Sequence, residues 1–192
     1  MLGPGCRAYL LAGGQSARFG SDKARAAWGG STLLQSNAEL LREAGAEVTV
    51  VARDDGAYAD LGLRTIADIA PGKGPLAGIH AALTDAGGAP WVLVLACDLA
   101  GVQASWLREL WDARQTDCEA IVLGSIREQP LLGLYAQPLR PSIEAALAEN
   151  RLGVIRFLAG RSVLALPLPS DWPALRNLNS ESEWRQANPR RS

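Results

Sequence analysis

The run Trp91-Val92-Leu93-Val94-Leu95-Ala96 leaves its chain few ways to fold. An uninterrupted apolar, β-favouring stretch with no polar alternation describes a strand covered on both faces, the condition met inside parallel sheets flanked by helices. Gly87 and Gly88 stand before it as breakers, and Asp98 follows its carboxyl end. Shorter apolar runs at 8–11, 48–52, 63–66, 120–123 and 163–166 read as further strands. Another run, at 131–135, follows the turn residues 127–130.

Helical signals fall between these runs. Thr32 with Gln35 forms a capping box, and Leu33, Leu34, Ala38, Leu40 and Leu41 follow at helical spacing until Gly45. Pro75 suits a first helical turn, which predicts a helix over 76–86. Trp106, Leu107, Leu110 and Trp111 mark another helix, and 143–147 and 154–158 are helical in pattern. Ser180 with Glu183 makes a second capping box ahead of a final helix. The β-α alternation predicts one Rossmann-like, three-layer α/β/α domain over residues 1–192, its core at about 7–188 and its C-terminal tail frayed. Its sheet is expected to be mostly parallel, with an antiparallel strand from the segment 124–135.

Composition narrows the function classes. With 48% hydrophobic and 20% charged residues, a net charge of −1 and scattered cations, the 192 residues suggest neither a nucleic-acid nor a membrane surface. No run approaches the length of a membrane span, and residues 1–6 lack a basic start before an apolar signal core. A cytoplasmic location is the expectation. The three cysteines, Cys6, Cys97 and Cys118, are too scattered for a disulfide framework or a zinc site. A nucleophilic Cys97 would need the single histidine, His80, as its base, and no Cys/His signature surrounds either residue.

Chemistry concentrates in Leu11 to Lys23, LAGGQSARFGSDK, directly after the first strand. Gly13 and Gly14 let the backbone turn sharply with its N–H groups open to a ligand. Arg18 and Lys23 add two cations. Backbone donors beside charge-assisted donors suit a nucleoside triphosphate. The segment is neither a Walker A loop, since Asp22 precedes Lys23 and Ala24 follows it, nor a G-x-G-x-x-G fingerprint. In open α/β sheets ligands bind beyond the carboxyl ends of strands, where Leu11 to Gly14, Asp68 and Asp98 all fall.

As a string, LAGGQSARFGSDK resembles the signature loop of the molybdenum cofactor guanylyltransferases, within the nucleotidyltransferase superfamily. Asp68 with GPLAGI at 74–79, Asp98 in ACDLA, and Asn177-Leu178-Asn179 extend the resemblance over nearly the whole chain. It implies a Mg²⁺-dependent transfer of GMP from GTP to the phosphate of molybdenum-molybdopterin, with release of pyrophosphate. It also implies that Leu11, Ala12, Gly13 and Gly14 contact the nucleotide, that Arg18 and Lys23 hold its phosphates, and that Asp98 ligates Mg²⁺. Asp68, Gly74 and Gly78 would lie at the nucleoside, and Asn177 and Asn179 on the metal or acceptor side. Molybdoenzymes or their chaperones would be further partners.

Physical readings stand beside that resemblance. A carboxylate at a strand end suits Mg²⁺, which takes hard oxygen ligands and shares substrate phosphates; the rival role for Asp98 is a helix N-cap. The two oxygens of Asp68 match the adjacent N1–H and N2–H of guanine, and its rival role is to stabilise a turn. The prolines that commonly flank the family aspartate are absent around Asp98, and Phe19 stands where methionine is usual. A cytidylyltransferase, another nucleotidyltransferase with a phosphorylated acceptor, and a nucleotide-binding module without catalysis are the alternatives.

Overall fold

The computed structural model describes residues 1–3, 5–12, 22–115, 117–178 and 183–184. The first strand, β1 (Arg7–Leu11), runs parallel to β4 (Glu47–Ala52) on one side and to β6 (Trp91–Ala96) on the other. Register aligns Leu11 with Val51 and with Ala96, so three strands end at one level. Beyond β4 lies β5 (Thr65–Ala67), also parallel. Beyond β6 come β9 (Leu132–Ala136), β8 (Ala120–Leu123) and the edge strand β10 (Val163–Leu166), completing a seven-stranded sheet. The expected antiparallel strand is β9, which runs against both β6 and β8.

Side-chain alternation divides the sheet between two apolar layers. Ala8, Leu10, Val48, Val50, Leu93 and Leu95 face the layer of α1 (Leu33–Glu43) and α3 (Ala104–Asp112). Tyr9, Val51, Val92 and Val94 face the layer of α2 (Pro75–Asp85), α4 (Leu139–Ala148) and α5 (Val154–Leu158). Both faces of β6 are thereby covered, as its unbroken apolar run requires. No described helix is long and apolar enough to cross a membrane.

Local chemistry sets the helix ends. The Thr32 side chain accepts from the Gln35 N–H at 3.1 Å while Gln35 reaches back to the Thr32 N–H at 3.2 Å, closing the expected capping box. Gly45, at φ +98°, follows the end of α1. Helix α4 starts earlier than its apolar pattern suggests because Pro141 fits its first turn. Between Thr32 and the loop before it, β2 (Ala27–Trp28) and β3 (Ser31–Thr32) form a hairpin across Gly29-Gly30, both at positive φ.

After β6 the chain turns at Cys97-Asp98 into β7 (Leu99–Ala100), which pairs antiparallel with β11 (Arg176–Asn177). Gly101 lets these segments approach. It sits at φ +83°, and a Cβ there would lie 2.3 Å from the Ala174 carbonyl oxygen. Gly101→Ala therefore combines backbone strain with a backbone clash and should destabilise the protein by about 2 kcal/mol or more. Thermal melting should register a drop of about 5 °C or more, and an unchanged melting temperature would contradict this packing.

Candidate functional site

Strand order reverses at β1, since the chain leaves it through α1 toward β4 and β5 and returns to its other flank as β6. That switch point lies at the carboxyl ends of β1 and β6, the place where open α/β sheets bind their ligands. Hydrogen bonds carry the alignment past the strands: Ala12 N–H donates to Val51 O at 2.8 Å, Cys97 N–H to Leu11 O at 3.1 Å, and Asp68 N–H to Ala52 O at 2.6 Å. Leu11, Ala12, Asp68 and Asp98 accordingly emerge along one edge of the sheet. Gly13, Gly14, Arg18 and Asn179 lie outside the described residues, as does Ser180 of the second capping box.

Asp98 is half-buried in the turn between β6 and β7. Burial raises its carboxyl pKa, and the Lys23 cation opposes that rise. A buried carboxylate is costly unless a cation or hydrogen bonds compensate it. The rival N-cap role does not hold, because Gln103 occupies the N-cap of α3. Cys97 is no nucleophile in waiting: burial, then the charges of Asp98 and Asp22, push its thiol upward. All three cysteines are free. His80 lies buried within α2, and burial lowers its pKa, as suits a packed, neutral imidazole.

Lys23 opens a short 3-10 turn, Lys23–Arg25, that is anchored on both flanks. Asp22 Oδ1 caps it by accepting from Ala24 N–H at 3.0 Å, while Asp22 Oδ2 accepts from the Tyr58 hydroxyl at 2.9 Å. Arg25 forks onto Asp60 at 2.7 and 2.9 Å, donates to Ala57 O at 2.9 Å, and stands over the Tyr58 ring. The connection between β4 and β5 thus holds the turn that carries Lys23. Sequence reading missed this support, since Tyr58 and Asp60 sit in a segment with no motif.

Asp68 follows β5, and its Oδ1 accepts from Ala70 N–H at 3.0 Å. The turn-stabilising role is therefore real, yet among the described residues no other hydrogen bond reaches this carboxyl, whose remaining lone pairs can accept from a ligand. Burial raises this carboxyl too, against the Ala70 hydrogen bond and His80. Gly74 caps α2 at φ +76°, a conformation that favours glycine. Gly78 has a packing reason: a Cβ there would lie 3.1 Å from Leu11 Cδ2, so glycine lets α2 close on the end of β1. Asn177 is exposed in β11 opposite Leu99, and Leu178 N–H donates to Asp98 O at 3.0 Å. The C-terminal segment is thereby drawn to the Asp98 turn.

Metal chemistry fits this edge in one form. Among the described residues no three His, Cys, Asp or Glu side chains cluster as a metal cage. Asp98 alone, with Asn177 on the adjoining strand, suits an ion that brings phosphate and water ligands with it, as Mg²⁺ does on a nucleoside triphosphate.

Residues 8–165 match the MobA-like NTP transferase domain. A protein of Opitutus terrae named "Probable molybdenum cofactor guanylyltransferase" is 36% identical, with 85% of each chain covered. A Bacillus cereus protein of the same name is 31% identical over 93% of each chain. In structure, the chain superposes on molybdopterin-guanine dinucleotide biosynthesis protein A from Archaeoglobus fulgidus with a TM-score of 0.79 at 24% identity, covering 95% of this chain and 96% of that one. A nucleotidyltransferase fold, with this family match over most of its length, makes the chain a member of the MobA-like NTP transferase family.

Proposed function

We propose that the protein transfers GMP from GTP to the phosphate of molybdenum-loaded molybdopterin, making molybdopterin guanine dinucleotide and pyrophosphate. The observation that carries this reading is that the Lys23 charge acts on the half-buried Asp98 carboxyl at the edge where Leu11, Ala12 and Asp68 also emerge. The names of the relatives supply the acceptor. Molybdoenzymes or their chaperones would take up the product.

A phosphate oxygen of the acceptor attacks the α-phosphorus of GTP, a new P–O–P bond forms, and the bond to the β-phosphate breaks. Positioning and charge neutralisation carry most of such a displacement. Lys23 and Arg18 hold the phosphates, the backbone from Leu11 to Gly14 faces them, and Asp68 accepts from guanine. Asp98, with Asn177 and Asn179 nearby in sequence or register, would hold Mg²⁺, which when bound neutralises charge on the triphosphate.

Incubation with each nucleoside triphosphate, Mg²⁺ and molybdenum-molybdopterin should release pyrophosphate with GTP. Consumption of CTP with GTP ignored would replace this reading by a cytidylyltransferase, and inertness with all four would leave a binding module. Lys23→Ala should slow turnover by about 10²-fold or more with the fold intact, through loss of about 3 kcal/mol of transition-state stabilisation. Unchanged turnover would return Lys23 to the role of a surface cation.

Asp98→Asn should abolish most turnover while sparing stability, and the sign of its pH effect follows from burial. With its folded pKa raised, Asp98 binds its proton more readily folded than unfolded, so its contribution favours the fold at low pH and is lost as pH rises through the raised value. Without ligand, Asp98→Asn should melt no lower than wild type at pH 7 and should lose less stability between acid and neutral pH. A melting temperature well below wild type at pH 7 would make Asp98 a structural residue.

A further inference from the structure

Asn37 is a polar side chain within an apolar stripe. It shares the inward face of α1 with Leu33, Leu34, Ala38 and Leu41, and is 5% exposed. An amide buried without partners is destabilising, so its partners explain its presence. Nδ2 donates to the Cys97 carbonyl at 3.3 Å and to the Leu99 carbonyl at 3.0 Å, the two peptide oxygens on either side of Asp98. The Asp98 carbonyl between them accepts from Leu178 N–H. Three successive carbonyls of this turn therefore end on groups from distant segments, and Asn37 supplies two of the bonds from one amide.

We propose that Asn37 is a positioning residue for Asp98, fixing the turn so that the carboxylate meets the metal-bound triphosphate in one direction. This rests on the guanylyl-transfer reading. Helix α1 begins at the Thr32 capping box, and Ala26 O accepts from Leu33 N–H at 3.0 Å, so the same helix ties the Lys23 turn to the Asp98 turn. Mg²⁺ tolerates little departure from octahedral geometry, and a misplacement of about 1 Å can cost about 10²-fold in rate. A turn released on both rims should therefore reveal itself first in the metal requirement.

Two variants test this. Asn37→Leu keeps the branched skeleton at somewhat larger volume and removes both donors; Asn37→Thr keeps a single hydroxyl donor and decides the matter if the leucine variant does not fold. Asn37→Leu should raise the Mg²⁺ concentration for half-maximal pyrophosphate release by about 10-fold, and Asn37→Thr by less, with KM for GTP at saturating Mg²⁺ within about 2-fold of wild type. Water proton relaxation enhancement of Mn²⁺-GTP titrated with protein, a readout independent of turnover, should weaken in the same order. If the folded variants melt lower but keep the wild-type metal requirement and Mn²⁺-GTP binding, Asn37 is only structural and the proposal fails while guanylyl transfer stands. A wild-type protein that releases no pyrophosphate with any nucleoside triphosphate overturns both.

Discussion

The double parallel pairing of β1 is the constraint on which the rest of the molecule depends. Its backbone is bonded along its length to β4 and β6, with Leu11 level with Val51 and Ala96. Ala8, Tyr9 and Leu10 are at most 1% exposed, so β1 can slip against its neighbours only by moving buried side chains between layers. Because the register is fixed there, the turns that leave β1, β5 and β6 are delivered to the same edge of the sheet.

At that edge two carboxyls are held at a cost. Asp98 and Asp68 are carboxyls whose burial disfavours the charged form, and the folded protein only partly offsets this through the Lys23 cation and the Ala70 N–H. Such tension between environment and charge is characteristic of sites that expect a ligand. The supports around it serve direction more than stability. The Arg25–Asp60 pair is solvent-exposed and so contributes little to folding, yet with Tyr58 and Asp22 it holds the turn from which Lys23 projects.

Much of the architecture was legible because apolar runs and breakers agree. The strands Trp91–Ala96, Ala120–Leu123 and Val163–Leu166 and the helix Val154–Leu158 fall where the pattern puts them. Elsewhere propensity gave way to packing: Leu63 is buried outside the strand expected to include it, and β5 begins at Thr65. The two-residue ladders β7–β11 and β2–β3 carry too few residues to leave a periodic signal. Of the candidate site, the loop cations and the strand-end carboxylates could be read as residue types. Asn37 could be noticed only as a polar interruption of an apolar helix face.

The sequence by itself determined the element types, the βα alternation and the residues with chemistry suited to phosphate and metal, because these depend on local pattern and side-chain functional groups. Only the tertiary structure decided that β9 inserts between β6 and β8, that Gly78 serves close packing on Leu11, and that Gln103 and not Asp98 caps α3. It also decided that Asn37 bonds to both rims of the Asp98 turn. Each of these is a contact between segments far apart in the chain, settled by sheet register and by the need to satisfy buried polar groups, and no local pattern encodes such a partner.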